Sequence, residues 1–462
     1  MAEKEPRKII PLRWLGIRDD IDPVALREDE WQDAMNMEVD GTRLGITEIV
    51  THAPGVAVVG LHFYRRPDGT NHRVAVLANG TVWEDAGQVL SGLTGSAPFI
   101  TSGLGAIVIL DPSGTPRWRD PADGVWKNYP TPAAWPVRVA SFDSVARRFF
   151  VAPTDLGPDS WGWSVLDKMS DFTKASGAGQ EIVGPDDSPI MAIGNFVGES
   201  LAIYKLDRLY LREGADPTSW AFRAISADVG TDAPRVITKV GHGNFFIHGQ
   251  SAGLLNAVGS LIFPPLSEPI SVRWLDWAKR LDFTVAHATW DTHRGRMYLW
   301  LPDDAGVLQR MVSFDFKERS VTEHRLQATC SAWSGKYVTI GRTDGVIAEM
   351  RGSLDLTTPI NAWLKTKVFG DPMNPKGFGS VGKVIVLLRG TQGVTVTVTP
   401  TIYVEGTTVA APAKSAILGA SLTRVQIPLP NQQGWGIEFL FQASGYWRLV
   451  GMIAPEEILG EI

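Results

Sequence analysis

Seven times along this chain a short apolar run meets a tight turn and returns as a second apolar run. Arg73–Ala78 turns at Asn79-Gly80 into Thr81–Trp83, and Ala106–Leu110 turns at Pro112-Ser113-Gly114 into Pro116–Trp118. Arg148–Val151 returns near Trp161–Leu166 through a longer loop, and Ser200–Tyr204 turns at Leu206-Asp207 into Arg208–Leu211. Asn244–His248 turns at Gly249–Gly253. Arg296–Trp300 turns at Pro302–Gly306 into Met311–Phe316, and Lys336–Ile340 turns at Asp344-Gly345 into Val346–Glu349. From Gly80 to Gly345 the mean spacing is about 44 residues, within the range of propeller blades. A four-stranded blade cannot bury both faces alone. Stacking blades around an axis hides those faces and leaves only short edges. Forty-seven glycines and 30 prolines supply the turns, and 17 tryptophans suit the wedges between blades. The spacing therefore predicts an all-β protein with a β-propeller of seven degenerate blades over residues 56–355, with six blades as the alternative. Two β-sandwiches would carry similar hairpins. Asn79-Gly80 predicts a turn in which both central residues take φ > 0.

The flanks have a different texture. Residues 1–55 read as an N-terminal arm with one short helix, Val24–Met37. That stretch has acids in its first half and places Leu26, Trp31, Ala34 and Met35 roughly on one side. A second short helix is expected at Trp274–Lys279. After a boundary near Thr357–Pro359, Val394, Val396 and Val398 alternate with Thr395, Thr397 and Thr399, the pattern of a half-buried strand. Six or seven such strands predict a C-terminal β-sandwich over residues 356–462.

Charge and cysteine content narrow the function. A net charge of −6 argues against a sequence-reading nucleic-acid binder, though not against a surface that DNA merely passes. A single cysteine, Cys330, excludes an internal disulfide framework and a cysteine zinc site. The charged opening MAEKEPRKII does not read as a secretory signal, and no stretch reaches 18 apolar residues. A cytoplasmic site of synthesis and no membrane span are expected.

No motif rises to a catalytic, cofactor or metal constellation. Gly377–Lys383 fits G-x-x-x-x-G-K. However, a strand-like run (Val384–Leu388) follows where a phosphate loop needs a helix, and Val384 stands in place of the Mg²⁺-holding hydroxyl. His287, Asp291 and His293 have the composition of a metal site, but Asp291–Gly295 reads as a turn that breaks their common face. His242 and His248 lack a neighbouring carboxylate. Ser141-Phe-Asp143 begins like a sialidase Asp-box, but Val145 replaces the glycine and Phe149 lies beyond the tryptophan position. Asp186-Asp187 and Asp303-Asp304 read as turn tips, and Asp20-Ile-Asp22 is too sparse for a calcium loop. No enzyme is expected.

The arm carries the distinctive pattern: Gly16-Ile-Arg-Asp-Asp-Ile-Asp22-Pro23, Leu26, Ala34, Asn36-Met-Glu-Val-Asp40-Gly41, Arg43 and Gly45. It resembles the opening of phage tail-structure propellers. Trp161–Phe172, Leu201–Glu213, Gly230–Ile237 with Phe245–Ile247, and the closing Gly445–Gly451 are similar to later stretches of the same group. The named group is the tail hub or nozzle family of short-tailed phages, also called packaged-DNA stabilisation proteins. The likeness is one of layout over most of the chain. It implies a structural virion tail protein, assembled in the host cytoplasm, that forms a homo-oligomeric ring, usually a hexamer, below the portal and adaptor. Such a ring forms or closes the DNA exit channel and takes part in DNA packaging stabilisation and DNA ejection. Tail fibres or spikes attach to it, and genome DNA passes without being read. One 50 kDa chain cannot encircle a duplex roughly 20 Å wide around a packed core, so a channel needs several copies. The arm and sandwich are the expected contact elements, and deleting residues 1–50 is expected to abolish assembly while leaving the propeller folded. The alternative is a tail-tip propeller that binds or degrades host-surface glycans through a carboxylate pair or exposed tryptophans.

Overall fold

The computed structural model describes residues 8–9 and 16–454, apart from 24, 28–29, 39, 196–199, 215, 242, 250, 257, 263, 371–375, 378–382 and 430–432. Each of the seven hairpins becomes the second and third strands of one antiparallel sheet. The sheets are Val58–Arg65, Asn71–Leu77, Val82–Glu84 and Gly87–Leu90 (blade 1); Phe99–Gly103, Ala106–Leu110, Arg117–Arg119 and Trp126–Asn128 (blade 2); and Val139–Asp143, Arg148–Ala152, Ser160–Trp163 and Gly179–Ile182 (blade 3). They continue with Ile190–Asn195, Leu201–Lys205, Leu209–Glu213 and Ala221–Ser226 (blade 4), and with Thr238–Val240, Gly243–His248 and Ser251–Leu255 (blade 5). Blade 6 is His287–Asp291, Arg296–Pro302, Leu308–Asp315 and Ser320–Arg325. Blade 7 is Cys330–Trp333, Val338–Gly341 and Val346–Met350, with a fourth strand from the far end of the chain, Ile46–Thr51. The first strand of each sheet lies against the first strand of the next, and Cys330–Trp333 returns against Val58–Arg65, so the ring closes as a β-propeller.

Blade 7 corrects the boundary of the arm. Ile347 faces Val50 and Met350 faces Ile46 in an antiparallel ladder, so a strand from before residue 56 finishes the last sheet. Hydrogen bonds between the two ends of the propeller close the ring and leave no long edge there.

The arm helix does not form. Trp31–Met35 is a strand, antiparallel to Asn361–Thr366, with Ala34 opposite Leu364 and Met35 opposite Trp363. The reason is a register shift between Trp31 and Asp33. A bulge adds one residue to a strand, so side chains three apart reach the same face. Trp31 and Ala34 are both buried on that face, which imitates helical spacing in the sequence. The helix expected near Trp274 spans Ser271–Arg280, with Trp274 and Trp277 turned inward. At Asn79-Gly80 only Gly80 takes positive φ (+77°). Asn79 instead uses its side chain to accept from the Thr81 backbone N–H and hydroxyl.

Beyond the propeller two sheets form the sandwich. One holds Lys8–Ile9, Trp447–Ala454, Lys383–Gly390 and Thr423–Pro428. The other is built on Trp31–Met35, Asn361–Thr366, Gly436–Ser444 and Thr395–Val404. Along Thr395–Val404, Val396, Val398, Pro400 and Ile402 point inward and the threonines outward, the expected alternation. One continuous apolar cluster joins this core, through Trp31, Met37 and Ile17, to Trp274, Phe245, Leu299 and Phe314 of the propeller. The two units therefore share a core.

Candidate functional site: the arm junction and the propeller axis

The residues that carry the arm pattern meet where sandwich and propeller join. Asn36 sits in the left-handed region (φ +58°) and bridges the units. Its backbone N–H donates to the Glu323 carbonyl, its Nδ2 donates to the Asn361 carbonyl, and its Oδ1 accepts from the Arg325 N–H and from Arg43 Nε. Arg43, 1% exposed, also donates to Asp355 and to the Arg325 carbonyl. Glu38, 1% exposed, accepts from Arg294 at 2.9 Å, from Arg296, and from the Tyr298 hydroxyl at 3.1 Å. Asp40 and Asp315 take the remaining Arg296 nitrogens at 3.2 and 2.8 Å. Burial opposes the charge on Arg296, but Glu38 and Asp40 more than restore it, and its pKa moves up. At Gly45 a side chain would run into the backbone of Leu354, so only glycine lets the chain pass from Arg43 into blade 7. The pattern read from the sequence is thus a set of intramolecular fasteners. This overturns the expectation that removing residues 1–50 leaves a folded propeller: the cut takes away most of the strand Ile46–Thr51 and the buried Glu38 and Arg43.

The second site is the axis. On the face where the innermost strands begin lies a cavity of about 850 Å³, walled by Phe99, Leu110, Val139, Ile190 and Met191 and by prolines such as Pro136, Pro153 and Pro189. A second cavity, about 500 Å³, runs between the innermost strands Val58–Arg65, His287–Asp291 and Cys330–Trp333. Arg235 lines both. Its Nη2 donates to the Val285 carbonyl, and it forms no ion pair among the described residues. Burial holds its pKa below the ordinary arginine value, opposed only by the Cys330 thiol and by no carboxylate. The other charged lining groups are Arg138 and Asp155 at the mouth and Lys239 in the second cavity.

The axial lining holds few groups ready for chemistry. Asp155 is the one carboxylate among the described lining residues, so the two-carboxylate geometry of glycoside hydrolysis is not assembled there. His287 is 3% exposed. Its Nε2 meets the Ala328 carbonyl at 3.0 Å and its Nδ1 meets the Ser331 hydroxyl at 2.8 Å. A carbonyl only accepts, so Nε2 carries the proton and Nδ1 accepts from Ser331. Burial, helped by Arg235, pushes its pKa down to about 3. Burial likewise lowers His62 to about 4 and raises the Cys330 thiol to about 12. Asp291 is occupied in a turn, accepting from the backbone N–H groups of His293 and Arg294. His287 and Asp291 are therefore both taken up by structural bonds. His248 bonds Ser251, and His242 lies outside the described residues.

Other singled-out residues also do structural work. Asp143 accepts from the Val145 and Ala146 N–H groups and pairs with the fully buried Arg212 at 2.6 Å. The same turn recurs at Asp291 and Asp315, each after an aromatic residue and each followed four residues later by a left-handed Arg147, Gly295 or Arg319. That recurrence was present in the sequence but hidden behind the glycan-hydrolase pattern. Asp186 is more than a turn tip, since it receives the buried Lys205 at 2.7 Å and the Tyr210 hydroxyl at 2.5 Å. Asp303 caps its turn through Ala305 and Val307. Lys383 opens a strand, while residues 378–382 of the glycine-rich segment lie outside the described residues. None of the described tryptophans is exposed, consistent with packing between blades. No helix of the described residues is long and apolar enough to cross a membrane.

No protein-family model matches the chain, and no curated protein matches it. Solved structures match over about two thirds of it. Virginiamycin B lyase from Staphylococcus aureus is 10% identical, covering 66% of this chain and 98% of its own, with a TM-score of 0.45. The computationally designed Ika8 protein is 10% identical over 66% of this chain and 100% of its own, with a TM-score of 0.41. The WD40 repeats of RRP9 are 9% identical over 67% and 99%, with a TM-score of 0.44.

Proposed function

We propose that this protein is a structural tail component of a short-tailed phage, a hub or nozzle that assembles as a ring below the portal and adaptor and forms or closes the DNA exit channel. The observation that carries the reading is the flank of blade 5, the one three-stranded blade among the described residues. Where a fourth strand would lie, an irregular stretch covers the edge through Ile262 N–H to the Leu254 carbonyl and Leu266 N–H to the Ala252 carbonyl. Beside it Val258, Val272 and Leu275 stand 73%, 60% and 45% exposed. Val272 and Leu275 are three apart on the helix Ser271–Arg280, whose tryptophans face the other way. An apolar, irregular flank suits a head-to-tail contact with a second copy, the interface that repeats around a closed ring.

Two further features support it. The propeller axis holds cavities of only 850 and 500 Å³, far too narrow for a duplex roughly 20 Å wide, so a DNA passage has to lie between copies. The shared core and the buried charges at the junction make each copy stiff, as a conduit under internal pressure requires. A net charge of −6 leaves few phosphate contacts to slow a passing duplex. Fibres or spikes would dock on the outer faces.

Mass photometry of the purified chain, alone and with a portal–adaptor complex, tests the reading. Rings are expected in the mixture, and Val272→Asp with Leu275→Asp should abolish them while leaving the fold intact. A chain that stays monomeric with portal–adaptor, or rings indifferent to the double change, would refute it. Binding of soluble glycan by the isolated chain would replace it with the adhesin reading.

A further inference from the structure

Arg235 poses a question that ring assembly does not answer. It sits where the two axial cavities meet, in a lining whose one described carboxylate, Asp155, is exposed at the mouth. A guanidinium half-buried in the lining and lacking a carboxylate is a costly arrangement unless something anionic completes it. Around it the mouth is mainly apolar, and its 850 Å³ falls within the range of small-molecule sites. We infer that the propeller axis is a binding site for an organic acid with an apolar body, whose carboxylate pairs with Arg235 and whose body packs on Phe99, Val139, Ile190 and Met191. The planar guanidinium fork matches a carboxylate. A phosphate, which needs several converging donors, finds too few here, and Asp155 disfavours a dianion. The inference stands on the axis alone and is independent of the ring reading.

The test uses the full chain at about pH 7.5 and two fluorescent probes with one ring body: anilinonaphthalene sulfonate, which is anionic, and phenylnaphthylamine, which is neutral. The sulfonate is expected to bind one site, to be displaced by dodecanoate, and to bind at least ~tenfold more tightly than the neutral probe, the scale of one charge-assisted pair. Arg235→Gln should remove that advantage while leaving the neutral probe within about twofold. Equal affinity of the two probes for the unaltered chain overturns the inference without any variant having to fold. So does a sulfonate affinity unchanged by Arg235→Gln. Met191→Trp, which narrows the mouth, should weaken both probes, and failure to do so places the ligand elsewhere and also overturns it.

Discussion

Acid should loosen this propeller from the axis outward, and His287 allows the effect to be worked out. The imidazole is 3% exposed, stacked on Trp300 with ring centroids 5.0 Å apart, and hydrogen-bonded through both nitrogens. Its folded pKa is about 3, against an ordinary value of 6.5. The unfolded chain therefore takes up this proton near pH 6.5, whereas the folded chain resists until near pH 3. Protonation favours the unfolded state. The stability tied to neutral His287 is complete above about pH 7.5 and is lost as pH falls through the window from 6.5 toward 3. Between about pH 8 and pH 5 the loss is about 2 kcal/mol, since one pKa unit is worth about 1.4 kcal/mol and the unfolded group is protonated over roughly one and a half units of that window. The figure barely depends on how far below 5 the folded value lies. Urea unfolding followed by tryptophan fluorescence at several pH values measures it. His287→Gln keeps a donor for the Ala328 carbonyl and an acceptor for Ser331, but it cannot titrate. The variant should be about 1–3 kcal/mol less stable at pH 8, with a pH slope flatter by about 2 kcal/mol across the same interval. If stability of the variant falls with the same slope as the parent, the buried neutral imidazole is not the acid-sensitive element, and the reasoning fails.

Three other perturbations probe the architecture. Glu38→Gln removes the buried anion shared by Arg294, Arg296 and Tyr298 and should cost about 3–5 kcal/mol in urea unfolding at neutral pH, because the arginines stay buried. Truncation before residue 52 removes the fourth strand of blade 7 and should yield a chain cleaved rapidly by native-state proteolysis near Val346–Met350, where the parent resists. Gly45→Ala pushes a methyl into the Leu354 backbone and should lower stability by about 2 kcal/mol or more, measured by the same melt.

How much of this was readable depends on which face of a strand is covered. The second strands of the blades are mostly buried on both sides, as in Ala106–Leu110 and Leu201–Lys205, where every residue is inside. Such strands write continuous apolar runs into the sequence, and all seven hairpins were legible for that reason. The first strands face the axis and the fourth strands face solvent, and their mixed patterns gave no such signal: Phe99–Gly103 is half-buried throughout, and Gly87–Leu90 is half exposed. Ile46–Thr51 is one of these outer strands, with a mostly exposed face, which is why its sequence reads as part of an arm outside the propeller. Trp31–Met35 failed for a different reason, because a bulge gives a strand the spacing of a helix.

The functional residues divide along the same line. Asn36, Glu38, Asp40 and Arg43 stood out as a pattern, but their partners lie hundreds of residues away, on Arg294, Arg296, Asp355 and Asn361. No local rule pairs charges across that distance, so the pattern could be noticed without its meaning, and extended arms suggested contacts with neighbours. The structure turns those contacts inward. Arg235 gave no signal at all, being one arginine in a Pro-Arg-Val turn, and its interest arises only from the lack of an acid partner once the blades are closed. This bears on assembly. With the described arm spent on holding its own chain together, the ring proposed above would be built from surfaces the fold leaves unfinished. The flank of blade 5 is such a surface, since a propeller that completes six of its sheets with a fourth strand leaves apolar Val272 and Leu275 in water beside the seventh.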